Sequence, residues 1–272
     1  MKQLKDRNVD NICSLAKISD FSSVPKSLVR NILRFNLGLK CYKPTFVQEL
    51  KEEDKQTRLD FANYFLENLQ GINNTILWTD EAHFHLSGEV SSINGYIWSD
   101  VNPKCRKQKP LHSQKLTVWF GFSGTITCPI FFYPYGKTIK KENYLSMLQT
   151  HVIPSLKRHR QFSKAILMQG GAPSHTSKMV KEFLLQQFSS KLIGKGFDCQ
   201  WPPRSPDLTP CDFFFWGYLK RKVYRHHITD LEHLKEIITD EISKIPMDLY
   251  KKVINSIPNR MEKLLKSERA HR

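Results

Sequence analysis

Apolar residues recur at strand or helix intervals along most of the chain, and they predict both kinds of element. Strands are predicted at residues 75–86, 96–98, 116–122, 126–133, 164–168 and 197–201. Helices are predicted at residues 142–158, 178–188, 212–224 and 231–245, and in the basic tail from residue 246. A run of strands followed by alternating helices and strands is typical of an α/β domain with a mixed sheet.

The first 43 residues have a different pattern, which predicts a small helical module. Apolar residues at helical spacing precede a polar stretch, and a second helix begins near Pro25, a residue favoured in the first turn of a helix. Three basic residues lie four apart on one face of that second helix: Lys26, Arg30 and Arg34. A DNA-binding helix-turn-helix and a helical hairpin with a solvated basic face both fit this pattern.

Charge adds a prediction about partners. The 272 residues include 42 Lys and Arg against 26 Asp and Glu, a formal net charge of +16. An excess of this size favours a polyanionic partner, most simply nucleic acid, although a basic protein without a specific partner fits it too.

The remaining composition favours an intracellular protein. The six cysteines form no C-x-x-C pair and no zinc-type Cys/His spacing, so we expect reduced thiols. No apolar run reaches the roughly 18–20 residues of a membrane span, so no membrane partner is expected. The first residues are polar and charged, without the apolar region of a secretory signal.

Candidate chemistry lies in three stretches. Ile76–Leu86, ILWTDEAHFHL, is an apolar strand with Asp80 near its middle. Ala165–Thr176, AILMQGGAPSHT, is a strand that ends in a Gly-Gly turn. Trp201–Gly217, WPPRSPDLTPCDFFFWG, is a proline-stiffened loop in which Asp212 stands where a helix begins. Asp212 is therefore either a helix N-cap or a carboxylate held rigidly at a metal site.

Together these stretches resemble the mariner superfamily of cut-and-paste DNA transposases. The family pattern has a T-D-E-A-H-F strand, a Q-D-G-A-P-x-H-T strand end and a W-P-P-R-S-x-D-L-T-P-x-D-F-F-x-W-G loop. The resemblance covers roughly residues 10–265 and implies an α/β, RNase H-like (retroviral integrase-like) catalytic core with a small N-terminal helix-turn-helix module. The expected domains are residues 1–43, a helical linker 44–72, the catalytic core 73–245 and a basic helical tail 246–272.

The resemblance also implies a missing catalytic group. The first and third family carboxylates match Asp80 and Asp212, but the second matches Gly170. Forty-one residues lie between Gly170 and Asp212, which suits the longer-spaced insect-type branch. In the family, the equivalent of Asp80 bridges two Mg²⁺ or Mn²⁺ ions and each of the others holds one. With glycine at 170, we expect weakened metal binding and strongly reduced or absent cleavage.

Several other side chains are candidates for the same region. Glu81, Asp198 and Asp207 are possible substitutes for the missing carboxylate. Glu81 is expected on the strand face opposite Asp80, and Asp207 is expected to accept hydrogen bonds from its own loop or from Arg204. His83 and His85 share one strand face, as a zinc pair or as hydrogen-bonded structural groups. His175 resembles the family histidine that supports the site or contacts DNA.

A basic loop between the predicted strands is a further candidate for DNA contact, or else a mobile surface loop. The basic residues assigned to it are Lys104, Arg106, Lys107 and Lys109. The family acts on double-stranded DNA at terminal inverted repeats, as dimers, so the resemblance implies this DNA, a homodimer and a nuclear location.

Three functions remain open at this point. The chain is an active transposase, a DNA-binding protein without catalysis, or a transposon remnant without a function. Family members carry two helix-turn-helix modules, and this chain begins with what resembles the second. Incomplete recognition of the DNA site is therefore expected, and like Gly170 it favours the second and third functions.

Overall fold

The computed structural model describes residues 19, 22–38, 49–87 and 114–269. The chain divides into two compact units, residues 1–49 and 50–272. The predicted strand at 96–98 and the first predicted helix, near residues 9–16, lie outside the described residues.

The first unit contains the predicted basic helix. Helix α1 is Lys26–Asn31, it follows Pro25 directly, and a π-helical turn continues it over Ile32–Asn36. Val29 is buried, whereas the three predicted basic residues are exposed. The second helix of the predicted module is thus present, and its pairing with a first helix stays a prediction.

The second unit is built on one five-stranded sheet. Its strands are β1 Ile76–His85, β2 Lys115–Phe122, β3 Phe131–Phe132, β4 Ile166–Met168 and β5 Leu192–Ile193. The order is β3-β2-β1-β4-β5, antiparallel from β1 to β3 and parallel from β1 through β4 to β5. The expected mixed sheet is confirmed, with its long central strand carrying Asp80.

Two strand predictions need correction. The predicted strand 126–133 is reduced to β3, with a single bridge at Thr127. The predicted strand 197–201 is wrong, because the edge strand is β5 and only Cys199 bridges to it. Alternating Phe197, Cys199 and Trp201 imitate a strand, but the apolar pair Leu192–Ile193 provides the backbone that pairs with β4.

Helices cover both faces of the sheet. They are α2 Glu52–Tyr64, α3 Lys141–Met147, α4 Ile153–Lys157, α5 Lys178–Phe188, α6 Trp216–Val223, α7 Leu231–Ser243, α8 Met247–Ile254 and α9 Ile257–Arg269. A π-helical turn, Leu148–Val152, joins α3 to α4, and another, Cys211–Phe215, precedes α6. In the described ranges, no helix has the length and apolar character needed to cross a membrane.

Alternation along the strands divides the core into two layers. Trp78 and Phe120 belong to a cluster with Phe215 and Trp216, whereas Leu77 belongs to a second cluster with residues of α3 and α5. Neighbouring residues of a strand point to opposite faces, which explains how one apolar strand serves both layers. The four tryptophans Trp78, Trp119, Trp201 and Trp216 are buried, as the sequence predicted.

The linker helix and the tail are part of this compact unit. Phe61 and Phe65 from the linker segment lie in the same apolar cluster as Ile257 and Met261 of α9. Helices α2 and α9 also contact each other directly. The tail therefore has a structural role, because it covers α2 and the sheet face beneath it.

Candidate active site

Asp80 is held in place by the sheet and by one tryptophan. It lies within β1, opposite Phe120 of β2. The indole Nε1–H of Trp216 donates a hydrogen bond to Oδ2 of Asp80 at 2.8 Å. Because Trp216 is buried, this bond fixes the carboxylate against α6.

Asp212 reaches the same region from the turn before α6. The turn begins at Cys211 with Pro210 in the cap position, so Asp212 lies in the first turn and not at the predicted N-cap. Its backbone N–H donates to the carbonyl of Thr209 at 3.1 Å. Buried Cys211 donates its thiol to the Trp78 carbonyl at 3.6 Å, which ties the turn to β1 two residues before Asp80.

The two carboxylates influence each other. Burial, together with the charges of Asp212 and Glu81, raises the pKa of Asp80 to about 7. Burial also raises the pKa of Asp212 to about 6, against the effect of Lys220. Asp212 is the more exposed of the two residues. Two close carboxylates with raised pKa values form a site that a cation would stabilise.

Gly170 lies where the second carboxylate would be needed. Strand β4 runs parallel to β1, and Met168 pairs with Trp78. Gly170, two residues after Met168, therefore lies on the side of Asp80, two residues after Trp78. A Cβ atom placed on Gly170 would meet only Nδ1 of His175, at 4.0 Å. The φ angle of Gly170 lies outside the left-handed range. The backbone and the surrounding space therefore accept a larger side chain here.

A buried network supports the Gly170 backbone. Nδ1 of His175 donates to the Gly170 carbonyl at 3.1 Å, and Nε2 lies 3.1 Å from Oε1 of Glu81. Burial has the largest single effect and lowers the pKa of His175, but Glu81, the Gly170 carbonyl and Asp80 together outweigh it, so the net shift is upward. Tyr144 donates to Gln169, which in turn donates to the His175 carbonyl. His175 thus has the geometry of a supporting residue.

Two of the three predicted substitutes for the missing carboxylate already have partners, whereas Asp198 is exposed and its role as a substitute stays a prediction. Glu81 contacts His175, and Asp207 pairs with Arg58 of α2. The expectation that Asp207 bonds within its own loop or to Arg204 is wrong, because Arg204 instead pairs with Asp54 of α2. Salt bridges to α2, which is far away in sequence, pair both loop charges. His83 accepts or donates a hydrogen bond with Thr117, and the backbone carbonyl of His85 accepts one from Tyr224.

The donor set fits a hard divalent cation only in part. Asp80 and Asp212 provide the oxygen ligands that Mg²⁺ and Mn²⁺ prefer. Position 170 offers only its backbone carbonyl, which already accepts from His175. In the part of the chain that the structure describes, no group of three or more His, Cys, Asp or Glu side chains is arranged to hold a metal. These residues therefore fit one ion better than two.

The predicted DNA-contacting residues are distributed over different parts of the chain. Lys26, Arg30 and Arg34 are exposed on α1 and the turn after it. His175, by contrast, is only 4% exposed, beside Gly170. The remaining four, Lys104, Arg106, Lys107 and Lys109, lie outside the described residues.

Sequence reasoning missed two residues of the site. Trp216, assigned only to the core, also positions Asp80, and Lys220 is the basic group whose charge acts on Asp212. Lys220 lies two turns along the helix from Asp212, a spacing that places both on one side. That spacing is a signal readable from sequence, whereas the indole bond to Asp80 is not.

Comparison with known proteins is consistent with this geometry. No family model matches the chain. The Tc3 transposable-element transposase of Caenorhabditis elegans is 25% identical over 251 residues, covering 90% of this chain and 71% of that protein. The chain is therefore similar in sequence to a known transposase over most of its length.

Solved structures of the Mos1 transposase have the same fold as this chain. The Mos1 paired-end complex with the left transposon end gives a TM-score of 0.79 at 19% identity, covering 98% of this chain and 77% of Mos1. A Mos1 paired-end complex with Mn gives 0.78 at 20% identity over the same shares. The likeness establishes the RNase H-like fold predicted from the motifs.

Proposed function

We propose that this chain is a mariner-type transposase-derived protein that binds transposon DNA but cuts it weakly or not at all. One observation carries the proposal. Asp80 and Asp212 converge beside the end of β4, where Gly170 leaves open the place of a third carboxylate.

Asp80 and Asp212 are the residues that would hold Mg²⁺ or Mn²⁺. When bound, such ions activate a water or a 3′-hydroxyl and stabilise the leaving oxygen of a phosphodiester. Trp216 orients the Asp80 carboxylate, and the Cys211 thiol fixes the turn that presents Asp212. These contacts keep two carboxylates in place for one ion, and a Mos1 paired-end complex of the same fold was solved with Mn.

Gly170 accounts for the expected loss of cleavage. Removing an outer partner of a metal ligand already costs roughly 10–100-fold in affinity or activity, and losing a direct ligand should cost more. His175 and Glu81 neutralise each other's charge beside position 170, so neither side chain is free to replace the missing carboxylate.

DNA is the proposed partner. The net charge of +16 and the exposed residues Lys26, Arg30 and Arg34 supply the positive surface that phosphates attract. The structurally similar Mos1 protein was solved with a transposon end. We extend the proposal to terminal inverted repeats as the site, a homodimer as the acting species and the nucleus as the location.

The decisive experiment compares this chain with Gly170→Asp in Mn²⁺-dependent nicking of duplex DNA that carries the transposon ends. Gly170→Asn is the matched control, since it has the same size without the charge. Cutting by Gly170→Asp alone would show a site that lacks one ligand. Equal cutting by the unmodified chain would refute the account of position 170. If no variant cuts although all bind DNA, catalysis is not restored by a carboxylate at 170 and the proposed impairment has another cause.

Gly170 favours a second candidate, a DNA-binding protein without catalysis. This protein would bind DNA with a steep dependence on salt, because phosphate contacts release counterions. A transposon remnant without any function would instead show no such binding. Affinity for duplex DNA between 50 and 200 mM salt therefore separates the DNA-binding protein from the remnant.

A further inference from the structure

The loop before Asp212, which contains Arg204 and Asp207, forms two salt bridges with helix α2. In one pair the helix provides the base, and in the other it provides the acid. Arg58 of the helix donates to both carboxylate oxygens of Asp207 at 2.8 and 2.7 Å, and to Oγ of Ser205 at 2.8 Å. Arg204 of the loop contacts Oδ2 of Asp54 through Nε at 2.7 Å and Nη2 at 2.6 Å. The helix and the loop each contribute one acid and one base.

Both helix partners are buried, and Asp54 is also held at the start of its own helix. Asp54 is 5% exposed, and it also accepts the Lys51 backbone N–H at 2.9 Å, which caps α2. Arg58 is 4% exposed. A bidentate guanidinium–carboxylate pair in such surroundings defines direction as well as distance.

The polarity of the pairs selects one docking position for the loop. If the loop slid along α2, Arg204 would approach Arg58, or Asp207 would approach Asp54, and like charges would repel each other. Arg204 itself has a left-handed φ of 51°, a conformation that a non-glycine residue keeps only when its surroundings enforce it. The pair with Asp54 supplies that constraint.

The fixed position extends from the pairs to Asp212. Thr209, two residues after Asp207, accepts the Asp212 backbone N–H. On the other side, Arg260 of α9 donates to the Asp207 carbonyl at 3.2 Å and lies 3.6 Å from the ring centre of Phe213. The segment before Asp212 is thus attached through Asp207 to α2 and α9, and Phe213 after it is attached to α9.

We propose that Asp54 and Arg58 are positioning residues that set the place of Asp212 relative to Asp80. They contact neither carboxylate, and they act through Arg204 and Asp207. The inference rests on the proposed cation site of Asp80 and Asp212. It assigns to the linker helix a role in the site that the linker's sequence does not reveal.

The test measures the site in two independent ways in the full chain. The first is Mn²⁺ affinity by titration. The second is the indole N–H resonance of Trp216 in ¹⁵N-tryptophan-labelled protein, identified by its loss in Trp216→Phe, because this group contacts Asp80 directly. Asp207→Asn is the main variant, since its side chain is 53% exposed and folding should survive the change.

We expect Asp207→Asn to weaken Mn²⁺ affinity roughly 10-fold and to shift the Trp216 resonance, with the circular dichroism of the fold retained. Arg58→Gln should have the same effect, and the double variant should be no weaker than either single one, because both remove the same interaction. Glu232→Gln, which removes the exposed pair with Lys235, is the matched control and should leave both measurements unchanged.

The outcomes separate this inference from the metal proposal. If Asp80→Asn binds Mn²⁺ as well as the unmodified chain, the cation site is refuted, and the Trp216 resonance alone decides the inference. If the resonance and the affinity are unchanged in Asp207→Asn while the melting temperature falls, the pairs only stabilise the fold and the inference is overturned. If Asp207→Asn does not fold, Arg204→Lys, at a site 32% exposed, takes its place with the same expected results.

Discussion

At the scale of single residues, Asp80 makes stability depend on pH. Its pKa is raised to about 7 by burial, by Asp212 and by Glu81, against an ordinary value of 3.8. The folded protein therefore binds a proton more tightly than the unfolded chain does. The stability gained from this proton is full below about pH 4 and is lost as the pH rises through 7.

Asp80→Asn should consequently stabilise the chain at pH 8 in metal-free buffer. Asparagine removes the buried charge and keeps an acceptor for Trp216, so the free energy of unfolding should rise by roughly 2–4 kcal/mol, with little change at pH 4. Urea unfolding at the two pH values measures the difference. Asp248→Asn, at an exposed carboxylate, is the control, and an equal gain at both pH values would contradict the assigned cause.

Gly170→Asp should shift the melting temperature in opposite directions without and with Mn²⁺. A third carboxylate beside Asp80 should lower the metal-free melting temperature slightly, by charge repulsion. It should also tighten Mn²⁺ binding 10–100-fold, which adds about 1.4–2.7 kcal/mol of stabilisation at high Mn²⁺. The Mn²⁺-dependent increase in melting temperature should then be larger than in the unmodified chain. Gly170→Asn provides the neutral comparison, and an equal increase in both variants would argue against a carboxylate effect.

At the scale of elements, the turn Cys211–Phe215 depends on one buried ring. Phe215 is fully buried; it stacks on Phe120 with ring centres 4.8 Å apart and lies tilted against Phe122 at 5.2 Å. Phe215→Ala should lower the free energy of unfolding by about 3–5 kcal/mol, because it leaves a cavity under the sheet.

The neighbouring ring supplies a control for that prediction. Phe214 is partly buried and stacks 5.3 Å from Tyr218. Phe214→Ala should therefore cost clearly less than Phe215→Ala in the same denaturant experiment. If the two variants lose equal stability, the turn is not anchored through Phe215.

The long elements were predictable because each carries a sustained periodic pattern. Strand β1 and helix α5 fall within a residue of the ranges that apolar spacing predicted. Strand β5 was missed because two apolar residues give no period, while the alternation at 197–201 gives a clear but misleading one. The short edge strand is defined by its partner β4, which lies elsewhere in the sequence.

Local sequence patterns also decided which parts of the site were predictable. Asp80, Gly170 and Asp212 were located by local motifs. The partners that position them were not, because Trp216 is 136 residues from Asp80 and Arg58 is 149 residues from Asp207. Local reasoning assigned Asp207 to its own loop, since nothing nearby in sequence indicates that α2 packs there.

At the scale of the whole molecule, net charge and local charge make different contributions to DNA binding. The net charge of +16 attracts any polyanion, whereas a DNA-binding face concentrates its contacts. Helix α1 and the turn after it present exposed Lys26, Arg30 and Arg34 at intervals of four residues. If these three contact phosphates, the salt dependence of binding should reveal them.

Replacing Lys26, Arg30 and Arg34 with alanine should reduce the slope of log affinity against log salt by about 2–3, because each phosphate contact contributes about 0.9. Fluorescence anisotropy with a labelled duplex between 50 and 200 mM KCl gives this slope. Alanine at exposed Lys157, Lys251 and Lys263 removes the same charge from other parts of the chain and is the matched control. A loss confined to the first triple variant identifies a local DNA-binding face. An equal loss in both means that the total charge carries the binding, and the basic face of α1 is then a solvated surface.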